Sequence, residues 1–253
     1  AFFMTAWLRV RRLTPLRSVA LFCFLPFVPS ALAEQETHSS FEVQSTPRTL
    51  SPLMERELRG CFDFFWKEWN ADPQSPTYGM TNGDYVGMNK YSPIAIEEQG
   101  FYFAAIIIGV ERGWITREEG EKRILITLRS LAKLERIRGF WYHFIDQDSG
   151  KRGWRDSKNV ELSNASTGTM LLGALAASEY FGGEIESRTQ RMYAEMDWKW
   201  FTNPRTKHPY LACYPKDLPS KVPPGITEEG MFGGWSAYAE HIFLCLLYTS
   251  PSP

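Results

Sequence analysis

The chain has 253 residues, a net charge of −1, four cysteines and four histidines; aromatic residues make up 15% of it, and nine of them are Trp. That length allows one large domain or two small ones. With no basic stripe and no run of five like charges, it lacks the concentrated positive field that nucleic acids demand, which argues against a nucleic-acid partner.

Residues 1–33 read as a targeting segment outside the fold. Arg9, Arg11, Arg12 and Arg17 form a basic region, residues 19–28 an apolar core, and Ala31-Leu-Ala33 an A-x-A cleavage signal before Glu34. Met4 is the expected start. The apolar stretch is too short, and too interrupted by Pro26 and Pro29, to span a membrane, so no stable membrane anchor is expected. The expectation is a periplasmic or secreted bacterial protein cleaved after Ala33. Cleavage leaves Cys61, Cys213 and Cys245, which make no disulfide framework.

Residues 34–50 form a polar, aperiodic linker. Ser51 then offers an N-cap before Pro52, and Met54, Leu58, Cys61, Phe62, Phe65 and Trp69 recur at helical spacing. Cys61 falls on the apolar side of that helix, where a small buried residue is expected. The next predicted helix, 97–112, is apolar nearly all round, as a helix buried on every side would be. Gly113 stops it. Thr116-Arg-Glu-Glu119 is a capping box, and the amphipathic helix it opens carries Ile124, Leu125, Leu128, Leu131 and Leu134 on one face. A second apolar helix covers 164–181 and stops at Gly182-Gly183. A third amphipathic helix covers 185–200, and a third apolar one begins near Trp235.

Strand signals are nearly absent, so the expected class is all-α, with outer and inner helices alternating. Connections from inner to outer helices are short, 113–115 and 182–184. Those from outer to inner are long, roughly 71–94, 136–162 and 201–233. In antiparallel pairs every long connection then lies at one end, the expected active face. Six helices in this order are half of a closed ring of six hairpins, spanning 51–246. Residues 247–253 read as a translated adaptor tail and the chain as a gene fragment, expected to fold marginally and to be inactive alone.

No G-x-S-x-G, Walker A or H-E-x-x-H motif is present, and His38, His143, His208 and His241 show no metal-ligand spacing. Carboxylates remain, and hydrolysis of a glycosidic bond needs two of them. Glu240 lies in Trp235-Ser-Ala-Tyr238-Ala-Glu240-His241 at the start of an apolar helix. Burial beside Trp235 and Tyr238 would raise its pKa, as suits a proton donor. From spacing alone, a helix-terminal acid facing the dipole or His241 explains it somewhat better. Glu161 heads another inner helix, where a first-turn acid favoured by the macrodipole is the plainer account. Asp146 and Asp148 before Ser149-Gly150 read as a turn, as does Asp84. His143 in its aromatic loop suits packing or a sugar hydrogen bond. Core packing explains any one of Trp141, Tyr142, Trp154 and Trp235; all four at one end favour a sugar-stacking cleft.

The chain resembles the bacterial glucoamylase-like family, which includes endo-β-1,2-glucanases of glycoside hydrolase family 144. The resemblance rests on Phe62-Asp-Phe-Phe-Trp66, Gly100-Phe101, Gly109-Val-Glu-Arg-Gly-Trp114 with the capping box after it, Gly139-Phe-Trp-Tyr-His-Phe144, Gly150-Lys-Arg-Gly-Trp154, Glu161-Leu-Ser163 and Tyr238-Ala-Glu240. They run in family order from about residue 53 to 246. The resemblance implies an (α/α)6 toroid, of which this chain holds about the first half, with a glucan cleft at one end. It implies metal-independent hydrolysis with inversion; no cofactor is expected, and the full-length protein is expected to be a monomer. The resemblance makes Glu240 the proton donor and Glu161 the acid opening the E-L-S motif; separately, Trp141, Tyr142, His143, Trp154, Ser166, Trp235 and Tyr238 are the expected substrate contacts. One departure stands out: the family motif continues to an Asp where this chain has Ser166. Two further readings stay open, a non-hydrolytic glucan-binding or transport-linked module and a polysaccharide lyase. The near-neutral charge weighs against the lyase.

Overall fold

The computed structural model describes residues 50–83, 92–154, 159–216, 226–227 and 230–234. The chain divides into two units, Ala1–Arg56 and Glu57–Pro253; residues 50–56 are what is described of the first. Among the described residues the helices are α1 Pro52–Lys67, α2 Ile96–Glu111, α3 Arg117–Leu131, α4 Asn164–Phe181 and α5 Gly183–Ala194. No helix there is long and apolar enough to cross a membrane.

Local chemistry sets where these helices start and stop. The Ser51 hydroxyl accepts from the Met54 N–H at 3.3 Å. In the expected capping box, Thr116 Oγ1 accepts from the Glu119 N–H at 3.1 Å and the Glu119 carboxylate from the Thr116 N–H at 2.8 Å. Ser163 caps α4 by accepting from the Ser166 N–H at 3.1 Å. Gly182 alone separates α4 from α5, with φ at 72°, a conformation that suits glycine.

The apolar helices α2 and α4 pack on each other, with α3 against α2, α5 against α4, and α3 also meeting α5. The inner pair touches backbone to backbone. A Cβ on Gly100 would stand 2.3 Å from the Thr169 carbonyl oxygen, and one on Gly173 2.2 Å from that of Gly100. Tyr102, Phe103 and Ile106 of α2, Ile124 and Leu128 of α3, and Met170 and Leu171 of α4 are fully buried. Each such side chain contributes about 1.5–3 kcal/mol through removal from water.

The all-α expectation needs one correction. Among the described residues there are seven two-residue strands: β1 Ile94–Ala95, β2 Arg136–Ile137, β3 Phe140–Trp141, β4 Phe144–Ile145, β5 Leu162–Ser163, β6 Ala212–Cys213 and β7 Met231–Phe232. They pair antiparallel as β1-β4, β2-β3 and β5-β6-β7. Each lies within or at the edge of a long outer-to-inner connection. Two residues are too few to show a period of two in sequence, yet buried loop backbone must find partners, and these pairings supply them.

The pairings also show which ends coincide. Phe144 pairs with Ala95, just before α2, and Tyr142 bridges to Leu162, just before α4. One loop therefore holds the starts of both inner helices, as the connection lengths suggest.

Three smaller expectations are corrected. The outer helix expected over 185–200 ends at Ala194. Beyond it, the Asp197 N–H donates to the Arg138 carbonyl at 3.0 Å and Trp198 meets Phe140 edge-on at 5.1 Å, so the segment closes over the β2–β3 hairpin instead. Cys61 is exposed; its neighbour Phe62 takes the buried position, fitting the notch at Gly109, and adjacent helical residues point about 100° apart. Finally, α2 is not buried all round, since Phe101 is 40% exposed.

Candidate active site

The loop between α3 and α4 builds the site. The β2–β3 hairpin turns through Arg138 and Gly139, at φ 54° and 90°, and a Cβ at Gly139 would lie 2.6 Å from the Glu195 carbonyl oxygen. The backbone then reaches His143 and is held on both sides. Its N–H donates to the Glu161 carbonyl at 2.9 Å, and its carbonyl accepts from the Ile96 N–H at 3.1 Å. The ring is thereby placed between the first turn of α2 and the residue preceding β5.

There it joins two carboxylates. His143 Nδ1 lies 2.7 Å from Glu161 Oε1, and Nε2 lies 3.0 Å from Glu97 Oε1. About a quarter of each of these side chains is exposed. The ring lies flat on Phe144, centroids 3.8 Å apart, and Phe144 meets Trp154 edge-on at 4.2 Å. Both ring nitrogens are occupied by carboxylate oxygens, so the cluster offers a metal no imidazole lone pair.

The charges support one another. Burial disfavours the His143 cation, but hydrogen bonds and attraction from Glu161 and Glu97 outweigh it and raise its pKa to about 9. Burial likewise opposes ionisation of Glu97 and Glu161, yet the hydrogen bond to His143 and its charge hold both carboxyls below their ordinary range. The Ser166 hydroxyl helps Glu97, and burial together with the nearby Glu161 charge raises the Tyr214 pKa. Both acids stand where the positive ends of the α2 and α4 dipoles favour anions. At neutral pH these shifts favour carboxylate, imidazolium and carboxylate together.

The sequence-derived site residues separate into three groups. Glu161, His143 and Ser166 come together, with Trp154, 38% exposed, at the rim of the same cluster. Trp141 and Tyr142 are buried: the Trp141 indole N–H donates to the Leu131 carbonyl at 3.1 Å, and the Tyr142 hydroxyl accepts from Arg152 at 3.1 Å. Both rings are enclosed by the core rather than exposed at the surface. Trp235, Tyr238 and Glu240 lie outside the described residues, as does Asp84. The turn expected at Asp146 is present, its carboxylate accepting from the Ser149 N–H at 2.8 Å.

Glu97 is the member that sequence reasoning passed over. Its signal was available: an acid in the first turn of an apolar inner helix, the same position that marked Glu161.

No family model matches the chain. Over 191 residues, 73% of this chain, it is 29% identical to an exo β-1,2-glucooligosaccharide sophorohydrolase (non-reducing end) from Parabacteroides distasonis. Two solved structures align with it at 26% identity. One, from Bacteroides uniformis and provisionally described as a glucoamylase, covers 68% of this chain at a TM-score of 0.56. The other, a β-1,2-glucanase from Parabacteroides distasonis, covers 66% at 0.53. The chain is thus similar, in sequence and in helical fold, to glucoamylase-like proteins. Within that group, the likeness extends to proteins named for β-1,2-glucan cleavage. The chain spans 25% of the length of the curated relative and 42% and 24% of the two solved chains.

Proposed function

We propose that the intact protein is an exported glycoside hydrolase that cleaves β-1,2-linked glucan by metal-independent acid/base catalysis with inversion. In this reading residues 1–33 are the export signal and residues 51–246 form about half of an (α/α)6 ring whose long connections bound the glucan cleft. The alternation of apolar and amphipathic helices, with both inner helices starting at one end, supports that ring.

The observation that carries the reading is the Glu97–His143–Glu161 cluster at that end. It supplies an ionised carboxylate, Glu161, linked through His143 and Phe144 to an exposed aromatic, Trp154, in a chain whose relatives are named for β-1,2-glucan cleavage. An inverting mechanism pairs such a carboxylate, which activates water, with a separate protonated acid. Because the imidazole fills the gap between Glu97 and Glu161, those two cannot flank a scissile bond together. The proton donor must come from another segment, and Glu240 is assigned that role.

The test is to incubate the intact protein with β-1,2-, β-1,3- and α-glucans, following new reducing ends and the absorbance of unsaturated products. Reducing ends from β-1,2-glucan alone are expected. Glu240→Gln and Glu161→Gln should each lower kcat by about 10²–10⁴-fold, the usual weight of a positioned acid or base. Binding without cleavage would replace this reading with a glucan-binding module, and unsaturated ends with a lyase.

A further inference from the structure

Glu97 has no part in the acid/base pair, yet its placement is costly unless it serves the cluster. Its Oε2 atom is buried without a hydrogen-bond partner at normal distance, while Oε1 is spent on His143. A buried carboxylate oxygen so placed must be offset by its remaining interactions. We propose that Glu97 is a positioning residue: by holding Nε2 of His143 it fixes the ring so that Nδ1–H is aimed at Glu161, and so sets where the Glu161 carboxylate stands at the cleft.

Three further features fit this assignment. The His143 backbone is tied to Ile96 on one side and Glu161 on the other, so the ring pivots only about its own side-chain bonds. Phe144, stacked on the ring, resists that rotation. With Glu97 ionised, a ring that donates from both nitrogens is favoured over either neutral tautomer, which would leave one carboxylate facing a lone pair. Among the described residues, the titratable groups facing the cluster are Glu97 from α2, Glu161 before β5, and Tyr214 after β6, with the Ser166 hydroxyl from α4 beside Glu97.

The pH consequence follows in sign. A raised imidazole pKa keeps the double donor in place until pH rises through about 9. Removing the Glu97 charge lowers that limit, because an opposite charge that favoured the cation is gone.

The proposal rests on the hydrolase reading for its kinetic arm only. The His143 imidazole signals would be followed by NMR, and kcat on β-1,2-glucan measured, across pH in the intact wild type, Glu97→Gln and Glu97→Asp. In the wild type the ring should titrate near 9. In Glu97→Gln both that titration and the alkaline limb of kcat should fall together by about one pH unit or more, and Glu97→Asp, which keeps the charge, should restore most of the shift. An unmoved titration in Glu97→Gln, or an equal loss of kcat at every pH, would overturn it. Should Glu97→Gln fail to fold, a wild-type ring titrating near 6.5 overturns the proposal. A wild-type ring near 9 that Glu97→Asp largely keeps supports it. A wild type that cleaves no glucan sinks the hydrolase reading, while the imidazole titration still decides the positioning role.

Discussion

Where α2 turns into α3 and α4 into α5, connections are short and charges face water. A capping box closes Thr116 on Glu119, Arg117 reaches the Tyr180 and Phe181 carbonyls, and the Tyr180 hydroxyl donates to Glu111 at 2.7 Å. At the opposite end the connections are long, small antiparallel pairings stitch them together, and three charged side chains lie half-buried in contact with each other. Both ends draw on Glu, Arg and backbone carbonyls. Solvent makes the difference: exposed charges satisfied by water end helices cheaply, whereas charges shielded from water hold each other's protonation states, which is what a catalytic centre requires.

Substitutions at the two ends should therefore differ in size and kind. The largest effect is expected where the inner helices touch. Gly173→Val, which forces a side chain against the Gly100 backbone, should cost about 3 kcal/mol in denaturant unfolding, at the upper end of ordinary overpacking, and should lower activity as well. Wild-type activity in that variant would mean the cluster tolerates a wider gap than its hydrogen bonds allow. An intermediate effect is expected at the turn end. Thr116→Ala should cost about 1 kcal/mol of stability, the usual value of a lost N-cap, with kcat and its pH profile unchanged. A shifted pH profile would break the separation of the two ends. Least of all, Arg129→Ala removes an exposed, salt-screened ion pair and should leave the melting temperature unchanged within error.

The features legible in sequence were those with local causes. The capping box at Thr116, the stop at Gly182 and the apolar faces of α2 and α4 depend on residues within a turn or two of each other, so their spacing shows them directly. The cluster depends on residues 18 and 46 positions apart, brought together by strand pairs too short to announce themselves. Glu161 and His143 stood out by residue type, but nothing in spacing linked them to each other or to Glu97. The aromatic run Trp141-Tyr142-His143-Phe144 shows the same limit. Its first two rings point into the core and its third into the cluster, a choice made by backbone pairing with β1 and β5 rather than by the residues themselves. The early end of α5 has a similar origin, since Asp197 and Trp198 are claimed by the hairpin across from them.

The contact between Gly100 and Gly173 bears on the chemistry as well as the packing. Gly100 lies about one helical turn beyond Glu97, so the two bare backbones act as a gauge block near that carboxylate, spacing its helix from the one Glu161 leads into. An imidazole ring has one fixed width and cannot stretch to follow them if the block thickens. The smallest side chains in the molecule thus set the tolerance to which its charged ones are built.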